Sequence, residues 1–337
     1  MPTRRAPHSS FALRRSYFAP SLPHCTPPAN RLDFPVQNTT TRPTRFLKPE
    51  VVARLKGMDL KARLVVEGFL AGLHRSPYKG FSVEFTEHRQ YLPGDELKRI
   101  DWKVYAKTDR FYIREYEEET NLRGHIIVDA SGSMGFRSSG PVSKLEYAGW
   151  LAASLAYLLL HQKDSTGLTV FTDRIQTFIP ARSSPAHLGI ILGQLERLKP
   201  GGDTNLAATF HQLAERIHRR GLVIILSDLW DNQAAVLSAL RHFRHRKHEV
   251  LVFHIVDPDE VAFRYKSPVV LRDLETGQEM SLDPRVVGEH YRSGFDDFSR
   301  RFERGCREAL VDYHRITTDT PFDRALFAWL ERRHRMR

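Results

Sequence analysis

His125-Ile-Ile-Val-Asp-Ala-Ser-Gly-Ser133 is the stretch from which the fold can be worked out. Residues 125–128 are an apolar run of strand length, and the residues that follow carry side-chain oxygen at alternate positions, Asp129, Ser131 and Ser133. A strand running straight into such a loop presents those oxygens at the carboxyl end of a sheet, where open α/β sheets bind ligands. Outward from it, apolar runs at 166–171, 175–179, 222–226 and 250–256 read as further strands. Amphipathic stretches at 144–161, 185–198, 206–219 and 233–246 fall between them as helices, with two more at 284–309 and 322–333. Such alternation predicts an α/β, three-layer, Rossmann-like domain over 122–337 with a mostly parallel central sheet. A hairpin is expected at 269–282, around Gly277, inserted after the fifth strand.

Two more oxygen-bearing loops follow in order. Thr204 sits in Gly201-Gly-Asp203-Thr204-Asn205, where a helix opens, and Asp228 follows Ser227 at the carboxyl end of a buried strand. Asp129, Ser131, Ser133, Thr204 and Asp228 are hard oxygen donors with no Cys or His among them, a set that suits Mg²⁺ or Mn²⁺. Two carboxylates leave a bound dication electrophilic and short of a ligand, which an acidic side chain of a protein partner would complete. The bland alternative is a Ser- and Asp-rich turn capping a helix. A nucleophile elbow is excluded, because neither serine has glycine both two before and two after it. A metal-assisted hydrolase would need a base, for which Asp203 and Asp231 are the spare carboxylates, and both fit loop or cap positions better.

The Asp129–Ser133 loop, Thr204 and Asp228 together resemble the metal-ion-dependent adhesion site of von Willebrand factor A (vWA) domains. That resemblance implies coordination by Ser131, Ser133 and Thr204, with Asp129 bound directly or through water and Asp228 through water. A longer match precedes it. SPYKGFSVEFTEHRQYLPGDELKRIDWKVYAKTDRFYIREYEEETN, residues 76–121, resembles the bacterial family called domain of unknown function fifty-eight, and the likeness runs from about Leu55 to the end. Members resemble accessory proteins encoded beside MoxR-type AAA+ ATPases. The implied role is non-enzymatic, assisting such an ATPase in maturing or remodelling other proteins.

Residues 47–121 are expected to form a small helical and β-rich extension. A helix over 48–73 carries Leu55, Met58, Leu60, Leu64, Val65, Phe69 and Leu73 on one broad face. In the block after it, Arg89, Tyr91, Asp95, Arg99, Asp101 and Trp102 are either an interaction face or a buried ion network with a packed Trp; buried charges are usually paired.

The chain has 337 residues and a formal net charge of +11. Residues 1–48 hold eight Lys/Arg against the single acid Asp33, so most of the excess lies in a Pro-, Ser- and Arg-rich tail, 1–46, read as disordered. Such a tail offers only salt-sensitive attraction to nucleic acid or an anionic surface, and nucleic acid is not the favoured partner. The run 241–248, with His242 and His245, reads as a solvated helix end favoured by the dipole. Two distant cysteines, Cys25 and Cys306, suggest a reducing cytoplasm and no disulfide framework. No apolar run approaches the ~18 residues of a membrane span.

Overall fold

The computed structural model describes residues 48–73, 88–90, 105–106, 109–114, 122–138, 140–274 and 277–335. Helices α1 (Pro49–Ala53) and α2 (Met58–Leu73) come first, then the short strands β1 (His88–Gln90) and β2 (Tyr112–Arg114). The main sheet contains β3 (Arg123–Asp129), β4 (Ser165–Phe171), β5 (Ile175–Arg182), β6 (Leu222–Ser227), β7 (Glu249–Val256) and β10 (Asp312–Thr317). Between and after these run α3 (Lys144–His161), α4 (Pro185–Glu196), α5 (Leu206–Arg216), α6 (Gln233–His245), α7 (Pro258–Ala262), α8 (Pro284–Glu308) and α9 (Phe322–Arg335). The ribbon β8 (Val269–Arg272) with β9 (Glu279–Leu282) is the expected hairpin, its strands antiparallel.

The sheet order is β10-β7-β6-β3-β4-β5, parallel throughout except for β5 on β4. Counted from β3 onward this is the doubly wound order, and the chain reverses its direction of travel across the sheet between β3 and β6. The carboxyl ends of those two neighbours are therefore the switch point, and they carry Asp129 and Asp228.

Alternation along the central strands explains the layers. In β6, Leu222, Ile224 and Leu226 pack into one core with residues of α2, α3, α4 and α9, while Val223 and Ile225 pack into another with residues of α5, α6 and α8. Side chains on a strand point to opposite faces in turn, so an all-apolar strand can feed two cores at once. Helix α3 starts in a capping box between Ser143 and Glu146, which fixes its first turn beside the β3 loop.

Three differences from the sequence-based expectation have physical causes. The helix over 48–73 is broken at Gly57, whose φ of +78° a side chain would resist, so α1 and α2 are separate. Met58, Val65 and Phe69 face the core as expected, but Leu60 is 44% exposed, and Ala62 and Val66 complete the buried stripe instead. A sixth strand, β10, is not evident from the sequence because Asp312–Thr317 (DYHRIT) is an edge strand, mostly half-buried and with no apolar run.

Arg89 lies on β1, in register with Ile113 of β2. Tyr91, Asp95, Arg99, Asp101 and Trp102, like the tail 1–46, fall outside the described residues.

Candidate metal centre

All five expected donors are buried: Asp129, Ser131 and Asp228 have no exposed surface, and Ser133 and Thr204 have 1%. Two backbone hydrogen bonds bring the second loop to the first. Gly201 N–H donates to the Ala130 carbonyl and Gly132 N–H to the Gly202 carbonyl, each at 3.0 Å, which aligns the segment leading to Thr204 with the Asp129–Ser133 loop. Asn205 then caps α5 by accepting from Ala208 N–H. The third loop is tied in through Ser227, whose hydroxyl donates to Asp129 Oδ2 at 2.6 Å and accepts from Leu229 N–H at 2.9 Å. Leu229, with φ of +56° and no exposed surface, holds the left-handed turn after Asp228, a conformation that costs about 1–3 kcal/mol in a non-glycine residue.

The donor geometry fits a small hard cation. Ser131 Oγ and Ser133 Oγ are 3.1 Å apart. The two hydroxyls hydrogen-bond to one another, and the same separation is compatible with adjacent ligands of an octahedral ion with bonds of roughly 2.1 Å. Asp129 Oδ1 accepts from Ser131 N–H at 2.9 Å and Oδ2 from the Ser227 hydroxyl, and the Ser131 hydroxyl also bears on the carboxylate. Burial, together with the neighbouring Asp228 carboxylate, pushes the Asp129 pKa up to about 7. Two buried carboxylates repel one another, and a bound dication would relieve that. Among the described residues no three His, Cys, Asp or Glu side chains form a metal cage, so any ion here depends on the hydroxyls.

A cation of the protein itself also reaches this site. Lys144, fully buried on the first turn of α3, donates to Asp228 Oδ2 at 2.9 Å and to Glu260 Oε1 at 2.8 Å. Burial opposes its charge, but the two carboxylates more than offset that, and the lysine pKa lies above its ordinary value. Glu260, on α7, is pushed up to about 7 by burial against the opposing pull of Lys144. Asp228 therefore has one oxygen engaged by an ammonium and the other by Trp230 N–H at 3.3 Å.

The family profile described as "Protein of unknown function DUF58" matches residues 87–303. The chain belongs to that family. Uncharacterized protein Rv1480 of Mycobacterium tuberculosis is 28% identical over 276 residues, 78% of this chain and 84% of the relative. Among solved structures, BatB of Bacteroides thetaiotaomicron is similar at 15% identity with a TM-score of 0.44, over 63% of this chain and 98% of BatB. The SpRpn10 VWA domain is similar at 11% identity and a TM-score of 0.37, over 62% of this chain and 94% of that domain.

In this DUF58 chain the fold is a doubly wound α/β sheet, and the Lys144 network surrounds its switch point. Asp257 and Glu260 form a capping box at the start of α7, and Ser138, a few residues past the Asp129–Ser133 loop, donates to Asp257 through both its N–H and its hydroxyl. The loop, α3, β6 and α7 thus close a hydrogen-bonded ring around Asp228. Lys144 and Glu260 were not singled out from sequence. A signal existed for Lys144, since it shares the spacing of Ala148, Leu151 and Leu155, all fully buried. The spare carboxylates have other work: Asp231 accepts from Leu206 N–H at 2.9 Å, and Asp203 is exposed. Beside the loop, a groove of about 610 Å³ runs between α2 and α3, lined by Met58, Lys61, Phe136, Trp150 and Pro200. Among the described residues no helix is long and apolar enough to cross a membrane.

Proposed function

We propose that this DUF58 chain is a non-enzymatic, divalent-metal-dependent protein-docking module, working in the cytoplasm as an accessory to a MoxR-type AAA+ ATPase. The observation that carries the metal is the pair of serine hydroxyls 3.1 Å apart at the switch point, beside two buried carboxylates. Ser131, Ser133 and Thr204 would hold Mg²⁺ or Mn²⁺ with Asp129, and Asp228 would act from further out because Lys144 occupies one of its oxygens. When bound, the ion supplies an electrophilic position for an acidic side chain of the partner. The chain's residues do the remaining work: Ser227 and Ser131 N–H fix the Asp129 carboxylate, and Leu229 holds the Asp228 loop in its turn. Partner residues flanking the acid would lie over the groove beside the loop.

The MoxR-type partner rests on the family resemblance, as does the division into a tail, a family-specific segment that includes Arg89, Tyr91, Asp95, Arg99, Asp101 and Trp102, and a vWA domain. A hydrolase finds less support, because Asp231 is engaged in capping α5 and Asp203 faces solvent. The test is co-purification of the full chain with a MoxR-type ATPase from the same genome in Mg²⁺ or in EDTA. A complex present in Mg²⁺, and lost both in EDTA and in Asp129→Ala, is expected. A tight complex that ignores both changes would remove the metal from the mechanism.

A further inference from the structure

The pole opposite the metal loops is a second surface. Five parallel strands begin there, and each is entered by a turn or a first residue with a distinctive side chain. Across the sheet from β10 to β4, these are Leu310, Lys247, Arg219 with Arg220, Arg123 and Lys163. Lys163, Arg220, Lys247 and Leu310 each stand two residues before their strand. With strands about 4.8 Å apart, the row spans roughly 19 Å.

Three of these turns share one construction. Asp164, His248 and Val311 N–H groups donate back to the Leu159, Phe243 and Cys306 carbonyls, closing helices α3, α6 and α8 in the same way. The residue at the left-handed position of such a closure is usually glycine. Here it is Lys163, Lys247 and Leu310, with φ of 60°, 64° and 55°. A side chain kept where the backbone favours glycine points to a role for that side chain. Of the acids nearby, Glu215 pairs with His242 and Arg246, Glu249 with Arg244 and Glu303 with Arg307, while exposed Glu308 and Glu331 stand at the Leu310 end of the row. Lys163, Arg219, Arg220 and Lys247 are exposed, and none has an ion pair among the described residues.

We propose that this row docks the protein on an anionic lipid surface, with Leu310 as its apolar tip. Leu310 is 69% exposed at one end of the row, beside Arg307. Three helix carboxyl ends face this pole, so phosphate cannot be gripped by backbone N–H groups as it is at helix amino ends; attraction acts at the length of Lys and Arg side chains. That suits a plane of headgroups. Among the described residues the exposed large apolar side chain on these turns is a leucine, and no exposed aromatic stands there for bases to stack on. Docked this way, the molecule would hold its metal loops at the far ends of the same strands, facing away from the bilayer. The inference is independent of the metal.

The test is sedimentation of the full chain with vesicles of phosphatidylcholine alone or with roughly 30% phosphatidylserine. Lys163→Gly combined with Lys247→Gly removes two cations while relaxing two strained turns, so its Tm should equal or exceed the wild-type value. Its partitioning onto anionic vesicles should fall by at least ~10-fold, at about fivefold per cation. Leu310→Ser should weaken binding further without changing its salt dependence. Arg264→Gln with Arg285→Gln, an equal charge loss away from the row, should leave binding within about twofold. Three results would overturn the proposal: no preference for phosphatidylserine, equal loss in both double variants, or binding to double-stranded DNA without binding to vesicles.

Discussion

At the residue scale, Lys144 dominates the energetics of the site. An ammonium and two carboxylates without solvent are tolerable only together, and removing one partner of a buried pair costs about 3–5 kcal/mol because the other charge stays behind. Lys144→Met should therefore destabilise the protein by that amount in urea denaturation. Glu260→Gln added to it should recover part of the loss, since glutamine can still accept from Asp257 N–H in the capping box. A single variant within ~1 kcal/mol of wild type would show that the ion triad is not what holds α3 to α7. That the Asp129–Ser133, Thr204 and Asp228 loops lie together was legible in sequence because each follows a strand or opens a helix at the carboxyl end of the sheet. Lys144 shares the spacing of the buried stripe, but a lysine at the first position of a helix ordinarily faces solvent, and only the arrival of Asp228 and Glu260 from elements 84 and 116 residues away makes its burial affordable.

At the element scale, β3 is covered on both faces, and His125 goes down with it, 9% exposed. Burial, with His248 and Arg123 nearby, lowers its pKa from 6.5 to about 4. The unfolded chain thus takes up this proton before the folded one does. The neutral ring contributes stability that is present above pH 6.5 and is lost as the pH falls toward 4, by roughly 3 kcal/mol at full extent. His125→Gln should flatten the stability-against-pH curve in that window, measured by denaturant midpoints at successive pH values. An unchanged slope would mean that another group drives the acid loss. The central strands were readable because burial on two faces demands continuous apolar runs. β10 and the break before α2 were not, since an edge strand needs no such run and the break rests on the φ of Gly57.

At the scale of the whole molecule, the parallel sheet separates two chemistries. Its carboxyl ends gather hydroxyls and carboxylates at the switch point between β3 and β6, and its amino ends carry the cation row. The amino-end pole could not be assembled from sequence: the register that sets Gly124 beside Leu222, and Leu222 beside Glu249, is what brings turns from remote parts of the chain into one line. The close approach is built in at Gly221, where a Cβ would meet the Arg123 carbonyl at 2.2 Å. The serines at the carboxyl-end pole are proposed to hold a divalent ion. Calorimetric titration of Mg²⁺ and Mn²⁺ into the wild type and into Ser131→Ala with Ser133→Ala tests it most directly, with metal-free melting as the folding control. Saturable binding in the wild type, weakened at least ~10-fold in a variant that melts within a few degrees of it, is predicted, tenfold corresponding to about 1.4 kcal/mol. Equal binding by both proteins, or none by the wild type, would contradict the account.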